Sequence, residues 1–201
     1  MRYLVFSLCL VLVSCASYPK QKSLKEIETT NKQIRNLYFS DSEKDYVYKA
    51  SIDLYGNHFG GMLIIKKIAP KNHRVVFTTE MGSKIFDLSF IGDNFKVNFI
   101  ISDLDRKMLL NQLKKDFRIL FTEEAKVLKT FNTENETIFE VQLLKDEYYY
   151  VTNSNNLTKI VRVSKGKEKE VFSFVECKEN DALELEIQHK TFDLTIRLVA
   201  I

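Results

Sequence analysis

The sequence is poor in the residues that do chemistry. It has three histidines, His58, His73 and His189, and three cysteines, Cys9, Cys15 and Cys177, spread through 201 residues. No His-x-x-x-His or Cys-x-x-Cys spacing results, so no metal is expected. A Gly-x-Ser-x-Gly elbow, a phosphate-binding loop and a dinucleotide fingerprint are all missing, which leaves no enzymatic role and no cofactor to predict. Asp103 and Asp105 in "SDLDRK" read as residues at a helix start rather than as an acid/base pair. Charge of one sign is also scarce: Lys+Arg 30 against Asp+Glu 27 leaves +3, without the concentrated cationic face that nucleic acid requires. The apolar run at the start is too short to span a membrane as a resident helix. With 45% hydrophobic residues, the chain is long enough for one domain with its own core.

What is present begins at the N-terminus. Met1-Arg2 gives a positive start, residues 3–13 are apolar, and small residues follow, the pattern of a signal segment. Leu12-Val13-Ser14-Cys15 resembles the bacterial lipobox, which implies cleavage before Cys15 and a lipid anchor on that cysteine. Removal of the leader takes Cys9 with it, so no internal disulfide is left to form, and Cys177 in "VFSFVECK" reads as a strand residue. The expected organisation is a signal peptide over 1–14, an acylated tether over 15–22 and one domain over 23–201. Leu24, Ile27, Ile34 and Leu37 suggest a first helix capped by Ser23.

From Tyr46 the apolar period becomes two: Tyr46, Tyr48, Ala50, Ile52 and Leu54 share one face. "GNHFGG" is read as a break, and further alternating runs follow with connections too short for parallel returns. Between Ser102 and about Phe121 the period becomes helical, with Ser102 as cap and Leu110, Leu113, Phe117, Leu120 and Phe121 as an apolar stripe. Strands resume to the C-terminus, with "KGKEKE" as a solvated hairpin tip. The prediction is α+β: a curled antiparallel sheet, an incomplete barrel of about ten or eleven strands, with an amphipathic helical lid on its concave side. The lid either covers an apolar hollow or fills the sheet.

"HRVVFTTEMGSKIFDLSF", "YYYVTNSNNLTKIVRV" and "LELEIQHKTFDLTIRL" resemble strands and a loop of the LolA/LolB-like lipoprotein-localisation proteins, over about residues 24–201. The sequence departs from that family in having no tryptophan and no proline in the loop Thr79-Glu80-Met81-Gly82. The resemblance implies a monomeric acyl host anchored at the periplasmic face of an outer membrane. Such a host would take acylated lipoproteins from a LolA-like periplasmic carrier and deliver them through an apolar loop tip at Met81 and Gly82. The lid would be the stripe Leu110, Leu113, Phe117, Leu120 and Phe121. A methionine folded back over its own hairpin, and an anchored accessory protein with a filled core and a protein partner, are the alternatives.

Overall fold

The computed structural model describes residues 17–178 and 181–201. The signal segment and the lipid-attachment residue Cys15 lie outside the described residues. Among those described, fourteen strands form one antiparallel system that does not close into a barrel. In spatial order it runs from β1 (Lys25–Ile27) to β8 (Glu124–Asn132), β9 (Thr137–Leu143), β10 (Asp146–Asn153) and β11 (Asn156–Ser164). It continues through β12 (Lys167–Lys178), β13 (Asp181–His189) and β14 (Leu194–Ala200) to β3 (Asp45–Leu54), β4 (Asn57–Ala69), β5 (Asn72–Thr78), β6 (Lys84–Ile91) and β7 (Asn94–Ile100). β2 (Gln33–Arg35) also pairs with β8. Two helices are described, α1 (Tyr18–Gln21) and α2 (Lys107–Leu120). In chain order α2 joins β7 to β8, so it links one end of the unclosed strand path to the strand beside its other end.

The period-two reading holds in detail. Tyr46, Tyr48, Ala50, Ile52 and Leu54 are all buried, and their alternating neighbours are not. Their side of the sheet is the concave one, where α2 lies. Leu109, Leu113, Phe117 and Leu120 of α2 are at most 3% exposed and join one core with Leu63, Val75, Phe77, Leu88, Tyr150, Phe172 and Ile187. Each such side chain contributes about 1.5–3 kcal/mol by leaving water. Asn36 ties down the far end of α2: its amide donates to the Leu120 carbonyl at 2.8 Å, and its oxygen accepts from the Tyr38 N–H.

Several expectations need correction. The strand number exceeds ten or eleven partly because residues 24–37 hold β1 and β2 rather than a helix. Their partner is the edge of β8, and a free edge outbids a weak helical stripe. Ser23 is no cap: it sits at φ 54°, just after α1. α2 starts at Lys107, not at Ser102, because Leu104 is drawn into the core and turns the chain there. Arg106 takes the cap position, without a side-chain bond, and no acid stands in the first turn. "GNHFGG" does not break the run either. Tyr55-Gly56 alone makes the turn, both residues at positive φ, and β4 begins at Asn57. Gly61 is needed within β4, since a Cβ there would lie 1.9 Å from the Thr78 carbonyl oxygen.

The sheet's convex side carries a second, smaller core. Tyr18, Phe131, Ile138, Tyr149, Val151, Val161 and Val163 pack together there. The segment expected to be a free tether therefore docks on the domain from Tyr18 onward, with the Tyr18 and Tyr149 rings 4.6 Å apart. The backbone of Cys177 pairs with Ala182 across β12 and β13, as a strand residue should.

Candidate functional site

The C-terminal end of α2, the start of β8 and the turns at Pro70-Lys71 and Gly92-Asp93 surround a cleft of about 750 Å³. Lys67, Lys71, Arg118 and Lys126 line its rim, and Phe90 and Phe121 its wall. Lys67 is already committed, bonding Glu123 at 2.6 Å and the Ser40 carbonyl at 2.8 Å. Behind the wall the aromatic contacts are continuous: Phe90 to Phe121 at 5.3 Å, Phe90 to Phe117 at 5.9 Å and Phe117 to Phe121 at 5.8 Å. His73 stacks on Phe121 at 4.1 Å and bonds the Phe39 carbonyl, and burial pushes its pKa down, so it stands there as a neutral aromatic. The cleft is thus a polar mouth whose apolar wall leads under α2.

Under the middle of α2 the concave face is polar. Tyr148, Arg162, Glu170 and His189 are successive cross-strand neighbours on β10, β11, β12 and β13, so they form one row on one face. Gln112 and Asp116 descend on that row from the helix. Arg162 bonds Glu170 at 2.6 Å and Asp146 at 3.2 Å. Gln112 Nε2 donates to Glu170 Oε1 at 2.7 Å and to Asp116 Oδ1 at 2.9 Å. His189 Nε2 lies 3.1 Å from Asp116 Oδ2, and its Nδ1 donates to the Leu194 carbonyl at 2.8 Å. Burial pushes the Asp116 carboxyl up. Burial opposes the charge on His189, but the hydrogen bond and charge of Asp116 outweigh it and hold that pKa above its ordinary value.

Asp116, Glu170 and His189 are close enough to share a cation. Glu170 Oε1, the Asp116 oxygens and the His189 nitrogens are already bonded to Arg162, Gln112, the Leu194 carbonyl and each other, which leaves Glu170 Oε2 without a partner, and a guanidinium stands where a second positive charge would be repelled. The row works as a bolt that fixes α2 to β12 and β13, with β11 and β10 tied in behind them through Arg162 and Asp146. Sequence reasoning missed it. "KGKEKE" is solvated only at its tip, with Lys165 and Lys167 exposed, while Glu168 is half-buried and Glu170 is 1% exposed. The available signal was Asp116 itself, a charge at the spacing of Leu109, Leu113 and Leu120 on the buried stripe.

Of the other sequence-derived residues, Leu113, Phe117 and Leu120 are packed into the core, while Leu110 and Phe121 are half-buried at its edge. Met81 is 97% exposed at the tip of the β5–β6 loop, and Gly82 follows at φ 84°. The Gly82 N–H donates to the Thr79 carbonyl at 2.9 Å, closing the turn that holds the methionine outward. His58 pairs with Asp53 on the surface.

A third buried carboxylate, after Asp116 and Glu170, lies away from α2. Asp87 on β6 accepts from Arg74 at 3.0 and 2.7 Å, from Asn98 at 3.0 Å and from Lys84 at 3.2 Å. The Arg74 bonds foremost hold its pKa well below the usual carboxylate range. Its contribution to stability is therefore complete above the unfolded value of about 4 and disappears as pH falls below it. Asp87→Asn should lower the unfolding free energy by about 1–3 kcal/mol at pH 7, and the gap to the parent protein should close as pH falls below about 4, read by urea unfolding at each pH.

No protein-family model matches the chain. No curated protein matches it closely enough to count as a relative. Among solved structures, a LolA superfamily protein of Nitrosomonas europaea superposes with a TM-score of 0.53 at 10% identity, over 80% of this chain and 86% of that one. A DUF1329 family protein of Desulfovibrio piger gives 0.43 at 9% identity, over 78% and 83%. A domain of Vibrio parahaemolyticus named for outer membrane lipoprotein sorting gives 0.43 at 8% identity, over the same shares. With the unclosed sheet and the helix across its concave side, the first of these superpositions identifies the fold as LolA/LolB-like.

Proposed function

We propose that the protein is a lipid-anchored component of a bacterial envelope that takes acyl chains of other lipoproteins under α2 and passes them to the membrane. The observation that carries this reading is the continuous aromatic path from the open cleft, through Phe90 and Phe121, to Phe117 on the buried face of the helix. Each methylene removed from water is worth about 0.8 kcal/mol, so an acylated cargo needs such a host between membranes. In the structure the helix's own side chains occupy the concave face, which makes this the closed form. Loading requires α2 to swing outward, and the two free edges of the sheet leave it room to do so. Arrival from a LolA-like carrier, delivery by the exposed Met81 and residence on the periplasmic face of an outer membrane, suggested by Ala16 after Cys15, belong to the same proposal.

The depth at which α2 is packed and bolted favours a second reading, an anchored accessory protein with a filled core that binds a protein partner. Transfer decides between them. Protein lacking residues 1–16 should draw an acylated lipoprotein from a LolA-type carrier and should ignore the same polypeptide without its acyl chains. No transfer, with the carrier proven loaded, removes the acyl-host reading.

A further inference from the structure

Arg118, in the last turn of α2, lines the mouth of the cleft with an unsatisfied donor. Its Nη2 donates to the Asp93 carbonyl, but its Nε is buried without an acceptor. A buried donor left unpaired costs free energy that a ligand oxygen would return. The same turn holds a second cation in place: the Gly92 N–H donates to the Lys71 carbonyl at 2.8 Å, so Lys71 and Arg118 flank Gly92-Asp93. Neither forms an ion pair among the described residues.

Most of the acid in the cleft is already neutralised. Glu123 is held by Lys67 at 2.6 Å, and Glu124 by Arg35 at 3.1 Å. Glu124 and Lys126 alternate along β8 with the buried Ala125, so they lie on the outer side of that strand and are no part of the mouth itself. Asp93, exposed on its turn, is then the one carboxylate beside Lys71 and Arg118. The approach adds to the positive excess. Lys107, Lys114, Lys115 and Arg118 recur along the outward side of α2, and the only acid of that helix, Asp116, is buried on the opposite side. Such a stripe draws anions toward the mouth. Directly behind it, Phe121 and Phe90 begin the aromatic path.

We infer that the mouth of the cleft is a head-group site for an anionic amphiphile, whose carboxylate or phosphate is held by the Arg118 guanidinium and the Lys71 ammonium while its acyl chain lies along Phe121 and Phe90. The fork of a guanidinium matches either oxyanion, and the lysine adds a point charge. The inference rests on the acyl-host reading for the fate of the chain. It adds a class of ligand which that reading does not require, because an acyl chain linked as ester or amide to a lipoprotein has no carboxylate of its own.

One chain carried on three heads tests it. Decanoate, decyl phosphate and decanol are each used to displace a fluorescent fatty acid from the protein lacking residues 1–16. At least one anion should bind roughly ten- to a hundredfold more tightly than decanol, the range for a hydrogen bond to a charged group. Which anion leads tells a free fatty acid from a phospholipid head. The advantage should shrink as salt is raised and vanish when Lys71→Gln is combined with Arg118→Gln, while decanol binds as before. Lys71→Gln alone, on an exposed turn, should lose part of it, and Lys96→Gln, on the outer face of β7, should keep all of it. Decanol binding as tightly as both anions, or an advantage that survives the double variant, would overturn the inference and leave the acyl-host reading standing. Failure of all three ligands to bind would remove that reading and the inference with it.

Discussion

Glu170→Ala should cost the fold about 3–5 kcal/mol, among the largest losses expected of any single substitution, because it strips a buried guanidinium of its closest partner. Arg162 is held by Glu170 at 2.6 Å and by the more distant Asp146 at 3.2 Å, and it cannot shed its proton to escape. Gln112 loses an acceptor at the same time, which weakens the attachment of α2. Asp116→Ala makes an instructive contrast. Its partner His189 can become neutral, since burial already works against the imidazolium once the carboxylate is gone. The loss there should be nearer about 1–3 kcal/mol, the penalty for unpaired polar groups. Urea unfolding of the two variants at neutral pH checks the order. If Asp116→Ala proves the more damaging, the row under the helix is held chiefly by the histidine pair rather than by the arginine.

Phe117→Ala should also be severe, at about 3–5 kcal/mol, because Phe117 is 1% exposed and packs against both Phe90 and Phe121. This site has a second readout. The cavity opens directly on the path from the cleft, so an acyl chain entering it replaces lost contacts instead of expelling a side chain. Binding of a fatty-acid ligand should tighten while stability falls, and ligand should restore part of the lost Tm. A filled core with no acyl role predicts the loss of stability alone. Leu63→Ala provides the comparison, being fully buried on β4, away from the aromatic path, and it should lose stability without gaining affinity.

The elements whose environment is local were legible in the sequence. Tyr46 to Leu54 alternate because one side of β3 faces the core, and the stripe of α2 repeats every three or four residues for the same reason. Turns were less legible. With six glycines in the chain, the left-handed positions of hairpins fall partly on asparagine, as at Ser154-Asn155 in "NSNN", where a turn is readable, and partly on residues such as Leu144-Lys145, which no turn rule would select. The least legible features depend on register. Tyr148, Arg162, Glu170 and His189 are scattered over four strands and meet only because each pairing places one beside the next. The docking of Tyr18 on Tyr149 is similar: a short polar segment gains its order from a distant surface, not from its own composition. Cys15 and the leader gave a sequence motif that no described residue addresses.

The central claim is that α2 is a lid over an acyl site and not a permanent plug. The most direct measurement is a titration of the protein lacking residues 1–16 with a fluorescent fatty acid, followed by displacement with a triacylated lipopeptide. The account predicts saturable uptake at one site, released by the lipopeptide and not by its unacylated form. Fluorescence that never saturates, or that the lipopeptide fails to displace, would contradict it and leave α2 as the filling of the sheet.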